Sequence, residues 1–437
     1  MNKIITIKDY TKKLKLGRPQ LDGKAMCANK WTFLYVHFSA GIIRNCYNVP
    51  PRVVTKEELA TYGTDIFFDH PYEIARRQEK LDNVRHSDCS NCWNCEDKGV
   101  TSQRKPEPFY EAHRSRFEVP VSTKALPTFL ELYFNNTCDL KCVYCNDMSS
   151  SQWATELKKF NEPALDYIDT TDGKLTEEFY KWFESEGSKD ILNYNILGGE
   201  PLIQQDFYKF ADYLLNTIKT SPNQHFIKPE LTLFTNGNTP PKYMDKWLAL
   251  IDQLHEHISI RIDFSNESID TRSEFIRSNL DWKLFEHNVN RTIAASKGKD
   301  VRIRFACTQT ALSIPTFINF LKWANDLQIQ HDIELTFGSN SVVQPSYLSP
   351  WNLTEDFKKP VEEAIQWINT NVEHWSEYAD YLVTVRDGIG KHNLADLSHI
   401  PAFAEKMKLR RGLDLIETFP ELRDWYKFCC EVASNRH

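Results

Sequence analysis

Three cysteines in one short run, Cys138-Asp-Leu-Lys-Cys142-Val-Tyr-Cys145, put three soft thiolates on a loop at a spacing that wraps one corner of a compact metal cluster. The ligand count matters most. A structural zinc or an ordinary electron-transfer cluster takes four protein ligands, whereas three leave one iron open to bind something else. The nearest candidate for a fourth thiolate is far away in the sequence. A second set, Cys27, Cys46, Cys89, Cys92 and Cys95, lies earlier, with Gly41 a little before Cys46. A turn glycine between two ligands lets a hairpin fold back and bring both sulfurs to one metal, although a zinc knuckle could use the same residues. Gly198-Gly199-Glu200-Pro201 combines glycines that allow close backbone approach with a carboxylate able to accept from an ammonium.

The elements that must carry these residues can be read from periodicity. Beyond a proline-broken stretch (Lys105-Pro106-Glu107-Pro108, Pro120, Pro127), short β-like runs alternate with amphipathic helical segments: Phe129–Phe134, Leu192–Leu197, Leu231–Thr235, Ile258–Phe264, Val301–Cys307 and Ile333–Phe337. Such alternation predicts parallel strands with helical crossovers. Six strands fit an α/β fold built as a partial (β/α)6 barrel better than a closed one, with an open doubly wound sheet as the alternative. Either arrangement places chemistry at the strands' C-terminal ends, where the cysteine triplet and Gly198-Gly199-Glu200 fall. After about residue 352 the pattern turns helical, around Glu355–Asn369, Trp375–Val385 and Pro420–Val432, which predicts a C-terminal helical cap. The expected division is 1–118, a small cysteine-rich domain; 119–350, the partial barrel; and 351–437, the helical extension.

Alternation also turns Ser259, Arg261 and Asp263 away from the apolar outer face of their strand, and Arg302 and Arg304 likewise. Adding Glu131, Tyr133, Asn193, Asn195 and Glu334 gives a charged lumen, which suits a polar substrate or an internal network of ion pairs.

Composition narrows the class. The 437 residues are 41% hydrophobic and 26% charged, the balance of a globular chain, and the net charge of -7 argues against general nucleic-acid affinity. One local exception is the basic start, Lys3, Lys8, Lys12, Lys13, Lys15, Arg18 and Lys24 against Asp9 and Asp22, an anion-binding patch or a solvated arm. No apolar run is long enough to cross a bilayer and no secretory signal is evident, so a cytoplasmic location is expected, with no membrane partner. In a reducing compartment the 11 cysteines are metal ligands or catalytic groups sooner than disulfides.

The C-x3-C-x2-C triplet, with the aromatic Tyr144 before its last cysteine, resembles the signature of the radical S-adenosylmethionine (SAM) superfamily. The resemblance implies a [4Fe–4S] cluster on Cys138, Cys142 and Cys145 whose open iron is chelated by SAM, one-electron cleavage of SAM to a 5′-deoxyadenosyl radical, and abstraction of a substrate hydrogen. It also implies SAM contacts from Gly198, Gly199 and Glu200, from Asn236 within Thr235-Asn236-Gly237, and from Asp263 to the ribose hydroxyls. Arg261 stands where relatives often have serine. Arg277 resembles an arginine that reaches the SAM carboxylate, with a surface helix charge as the other reading. Cys27-x13-Gly41-x4-Cys46 followed by Cys89-x2-Cys92 resembles the SPASM/twitch auxiliary-cluster domain, here placed before the barrel, and Glu96, Gly99, Ser102 and Arg104 extend the match. Glu417-Thr418-Phe419-Pro420-Glu421-Leu422 resembles twitch-type proteins too. The implied second [4Fe–4S] cluster sits on Cys27, Cys46, Cys89 and Cys92, with Cys95 able to replace either member of the CxxC pair.

The expected function is therefore hydrogen abstraction from a polar substrate, a peptide or protein by this resemblance, with a one-electron reductant such as flavodoxin or ferredoxin. Oxidation or rearrangement of a sugar-like or nucleotide metabolite is the second enzyme reading. The reading from another class is a non-catalytic zinc or iron–sulfur protein that grips nucleic acid. Cys307, ending the fifth predicted strand, is a candidate hydrogen-atom donor or an inert buried thiol, and Cys429 and Cys430 look structural.

Overall fold

The computed structural model describes residues 5–6, 25–98, 102, 104, 123, 126–165, 169–220 and 227–435. The basic N-terminal residues, Gly99, and Lys105 to Pro108 with Pro120 lie outside them. The chain forms two compact units, one of Met1–Asn136, Leu165–Leu233 and Asp252–Ile260, the other of Thr137–Ala164, Phe234–Ile251 and Arg261–His437.

In the first unit, strands β1 (Phe33–His37), β2 (Ile42–Arg44), β3 (Arg52–Val53), β4 (Phe129–Tyr133), β5 (Asn193–Leu197) and the start of β6 (Glu230–Thr235) lie in the order β3-β2-β1-β4-β5-β6. From β1 to β6 the pairing is parallel, while β2 and β3 add antiparallel strands beyond β1. Register sets Tyr35, Glu131 and Asn195 side by side on one face. Val36, Leu132, Ile196 and Leu233, fully buried, form the opposite face, as the strand period requires. Helices Lys174–Ser185 and Gln205–Thr220 supply Phe179, Phe183, Phe207, Phe210 and Leu214 to the core, and the rings of Phe183 and Phe210 pack on Tyr194.

The second unit holds the end of β7 (Ser259–Phe264) with β8 (Val301–Gln309) and β9 (Leu335–Ser341), the last two parallel from Ile303↔Leu335 to Gln309↔Ser341. Helices Trp282–Ser296 and Phe317–His331 cover them through Phe285, Phe320 and Trp323, which cluster with Phe305. The helical C-terminal region comprises Lys358–Asn371, Ser376–Gly388, Ile400–Arg411 and Arg423–Ser434. It is tied down by indole donors, Trp375 to the carbonyl of Leu335 at 2.8 Å and Trp425 to that of Asn352 at 2.9 Å.

All six predicted strands are present. β1 pairs with β4 along its whole length and so satisfies a backbone edge that β4 would otherwise expose. Two features differ from the sequence reading. The helix Ile400–Arg411 is additional. Glu334 and Arg302 are exposed, since β9 begins only at Leu335 and Arg302 sits at the open start of β8.

Helix Ile400–Arg411 ends on a contact that supports the cysteine loop. Arg411, with 4% of its side chain exposed, pairs with Glu156 at 2.9 Å, donates to the Lys141 carbonyl at 2.7 Å and to Ser278 Oγ at 3.0 Å, and lies over the Trp153 ring. Arg411→Ala strands the buried Glu156 carboxylate with Lys141 alone, and a loss of about 3 kcal/mol is expected in urea unfolding. A loss below roughly 1 kcal/mol would show that this network is dispensable.

Candidate functional site

The cysteine triplet is held by groups that are not its sulfurs. Lys141–Cys142 forms a two-residue antiparallel pair with Arg277–Ser278, and Val143 N donates to the Ile276 carbonyl at 2.8 Å. Cys145 N closes a turn onto the Cys142 carbonyl at 3.0 Å, and the Trp153 indole donates to that same carbonyl at 2.9 Å. Asp139 anchors the other end: its carboxylate accepts from Asn236 Nδ2 at 2.7 Å and Asn238 Nδ2 at 2.8 Å, and its carbonyl from Asn279 at 3.2 Å. Asp139 and Asn238 were missed by the sequence reading. Their signal was faint, an acidic residue inside the triplet and a second asparagine after Thr235-Asn236-Gly237.

The groups around the sulfurs are mainly donors. Leu140 N approaches Cys138 Sγ at 3.5 Å, Asn236 Nδ2 approaches it at 4.0 Å, and Arg277 Nη1 lies 3.7 Å from Cys142 Sγ. Asp139 is the acidic neighbour, at 4.0 Å from Cys138 Sγ, and its oxygens are committed to the two amides. Burial pushes the Cys142 thiol up to about 12, against the pull of Arg277. Without a cation the site therefore disfavours thiolates, and a metal supplies what ionisation needs. Donors stand against Cys138 and Cys142, while Cys145 Sγ lies 3.7 Å from the Asn146 carbonyl, and three thiols on one fixed loop fit a cluster held by three ligands.

Arg277 is not a surface charge. It is 4% exposed, pairs with the fully buried Glu267 at 2.8 Å, and lies over the Tyr144 ring, whose hydroxyl donates to Glu267 at 3.0 Å. Its buried Nε has no acceptor among the described residues. The carboxylate-binding role implied by resemblance can thus draw on that N–H, while Nη2 is committed to Glu267. The sequence reading passed over Glu267, though it follows β7 directly at the rim where functional residues collect.

Within the first unit, Gly198 and Gly199 adopt φ of 91° and 50°. A Cβ on Gly198 would sit 2.5 Å from the Tyr133 ring, so this glycine is demanded by close packing as well as by its backbone. Glu200 is fully buried and caps the following turn by accepting from Leu202 N at 3.1 Å. Asp263 is already engaged by side chains of its own unit. Its fully buried carboxylate accepts from Arg304 Nε at 3.0 Å and from Arg304 Nη2, with Arg261 at 3.3 Å, so ribose hydroxyls would have to compete with two guanidiniums.

The second cysteine set converges around a pocket lined by Cys27, Cys46, Cys89, Cys92, Asn29, Asn48 and Arg104, among others. Gly41, with φ of 61°, joins β1 and β2 as the predicted hairpin and carries the chain to Cys46. Cys89 caps the helix Ser90–Asp97, which carries Cys92 and Cys95. Successive steps of three residues turn the side chain back by about 60° each, so Cys95 points about 120° away from Cys89 and does not line the pocket. Asn48 Nδ2 approaches Cys92 Sγ at 3.7 Å and Asn29 Nδ2 approaches Cys46 Sγ at 4.0 Å. Burial, reinforced by Cys46, drives the Cys27 thiol up to about 12, with Lys80 pulling the other way. Lys80 is 2% exposed, and its ammonium has no hydrogen-bond acceptor among the described residues, lying only over the Trp93 ring at 4.7 Å. A buried cation that pulls the Cys27 thiol toward its thiolate suits an anionic thiolate–metal centre. Glu96, Ser102 and Arg104 buttress it: Arg104 pairs with Glu96 and donates to the Met26 carbonyl at 2.7 Å. Among the described residues, no group of three His, Cys, Asp or Glu side chains converges closely enough for a single metal ion.

Cys307 is fully buried and its thiol is raised well above its usual range by that burial, with Tyr378 close by. Cys429 is fully buried in the helix Arg423–Ser434. No described helix is long and apolar enough to cross a membrane.

No protein-family model matches the chain, and no curated protein does. Solved structures to which the chain is similar include native anSMEcpe with bound AdoMet, 17% identical over 55% of this chain and 60% of that one, at a TM-score of 0.38. Streptococcus suis SuiB bound to precursor peptide SuiA is 14% identical over 91% of this chain and 74% of that one, at 0.33. Streptococcus suis SuiB bound to S-adenosylmethionine is 17% identical over 78% and 68%, at 0.32. The chain thus spans less than two thirds of the anSMEcpe chain.

Glu131, on the polar face of β4, gives a pH signature. It is 2% exposed and its carboxyl is raised to about 7 by burial, against hydrogen bonds from Tyr47 and Asn195 and the charge of Arg44. A carboxyl with a raised pKa in the folded state stabilises the fold fully below its unfolded pKa and loses that contribution as pH rises through 7. Wild type should therefore lose roughly 3 kcal/mol relative to Glu131→Gln between pH 4 and pH 8 in guanidinium unfolding. Parallel pH profiles for the two proteins would show that Glu131 ionises normally.

Proposed function

We propose that this chain is a radical SAM enzyme of the cytosol that uses a [4Fe–4S] cluster on Cys138, Cys142 and Cys145 to generate a 5′-deoxyadenosyl radical and abstract hydrogen from a peptide or protein side chain. One observation carries the reading: the three thiols share one loop that Asp139, Asn236, Asn238 and the Arg277–Ser278 strand fix, with donors set against the Cys138 and Cys142 sulfurs.

The bound cluster and SAM supply the one-electron chemistry, and the protein's share is to hold, orient and shield. Cys138, Cys142 and Cys145 bind the irons. In their own unit, Gly198 and Gly199 take positive-φ conformations that suit the SAM-binding motif they resemble, and Glu200 stiffens the turn that follows them. Asn236 orients the loop through Asp139, and Tyr144 buries its ring beneath Arg277. Asp263 offers a carboxylate for the ribose once Arg304 or Arg261 gives way.

Cys27, Cys46, Cys89 and Cys92 would hold a second [4Fe–4S] cluster, which when bound would supply one-electron transfer or a substrate anchor. Resemblance of this set to the SPASM/twitch module favours peptide or protein modification over a small metabolite. Flavodoxin or ferredoxin is the reductant class that such a cluster requires.

Anaerobic reconstitution of the full chain should give about eight irons per chain and reductive cleavage of SAM to 5′-deoxyadenosine. Cys142→Ala should abolish cleavage, by at least ~1000-fold, and leave about four irons. Cys46→Ala should likewise retain about four irons but keep SAM cleavage. One zinc and no cleavage in the wild type would sink the assignment.

The pocket also separates the cysteines of the helix. Cys95→Ala should keep the full iron content, whereas Cys92→Ala should lose about half of it. Iron loss of the same size in Cys95→Ala would place that thiol in the ligand set.

A further inference from the structure

The contacts of Arg277 go beyond binding a cofactor carboxylate. Its Nη1 lies 3.7 Å from the sulfur of Cys142, and Nη2 pairs with Glu267 at 2.8 Å. Both side chains are out of solvent, at 4% and 0% exposure, so their charges are little screened by salt. The geometry is also fixed. Arg277 is the direct strand partner of Cys142, its guanidinium rests on the Tyr144 ring at 5.4 Å, and the Tyr144 hydroxyl is within 3.0 and 3.2 Å of the two Glu267 oxygens. Cysteine sulfur carries part of a cluster's negative charge, and one-electron reduction of the cluster adds one more negative charge without a proton. Hydrogen bonds to the sulfurs and nearby charge are the levers by which proteins move such potentials.

We propose that Arg277 and Glu267 form a charge pair that sets the reduction potential of the cluster on Cys138, Cys142 and Cys145. The guanidinium raises the potential through the Cys142 sulfur, and the carboxylate moderates that effect by neutralising the guanidinium. Arg277 and Glu267 are thereby positioning residues. This inference rests on the cluster assignment above. It differs from the role that resemblance implies for Arg277, which concerns the affinity for SAM and leaves the potential of the SAM-free cluster untouched.

The two charges make opposite predictions. In anaerobic potentiometric titration of the reconstituted full chain, followed by electron paramagnetic resonance without SAM, Arg277→Gln should lower the potential. The expected shift is at least tenfold in the one-electron equilibrium, about 59 mV. Glu267→Gln should raise it by a comparable factor. Arg277→Lys should restore more than half of the Arg277→Gln shift. The signal that changes on later addition of SAM identifies the cluster concerned. Shifts of one sign in both variants, or none in either, would overturn the proposal while leaving the cluster assignment standing. If Arg277→Gln does not fold, Glu267→Gln decides alone: an upward shift supports the pair, and an unchanged or lower potential refutes it. Absence of any SAM-responsive cluster in the wild type would instead remove the assignment itself, and the proposal with it.

Discussion

Three thiols can grip a cluster and leave one corner open only if the loop between them is fixed by something other than their own sulfurs. In this chain that constraint is met by backbone pairing of Lys141–Cys142 with Arg277–Ser278 at one end and by Asp139, clasped by two asparagines, at the other. Each device does a second task. The pairing that fixes Cys142 also delivers a buried guanidinium to its sulfur, and the asparagine that clasps Asp139 also faces Cys138. Support and electrostatics are thus supplied by the same few residues, and the outer network of Arg411, Glu156 and Lys141 holds the loop from behind.

Much of this could be read from the chain, for identifiable reasons. Parallel strands buried on one face carry strong local signals, and all six predicted strands occur within a few residues of their expected bounds. The cysteine triplet and Gly198-Gly199-Glu200 could be found because short-range spacing encodes them. What stayed hidden was long-range pairing. Nothing local distinguishes Phe33–His37 as the partner of Phe129–Tyr133, and that pairing draws the N-terminal segment into the parallel sheet. Glu267 and Asp139 were hidden for a similar reason: each is an ordinary acidic residue until the fold brings Arg277 or Asn236 and Asn238 against it.

Alternation left the charged lumen open to a polar substrate or to an internal network of ion pairs, and Arg261, Asp263 and Arg304 do pair with one another. The N-terminal cysteines are a parallel case. Spacing left Cys89, Cys92 and Cys95 equivalent, and only the turn of the helix Ser90–Asp97 separates the two that line the pocket from the one that does not.

Tyr47 follows Cys46 in the chain and gives its hydroxyl to Glu131, the buried carboxyl on the polar side of β4. One residue of backbone therefore separates a thiol of the N-terminal set from the side chain that donates to a buried acid of the sheet. Were ligation of Cys46 to shift the Tyr47 phenol, occupancy of the cysteine pocket and protonation of Glu131 would be linked, each altering the affinity for the other to the same degree.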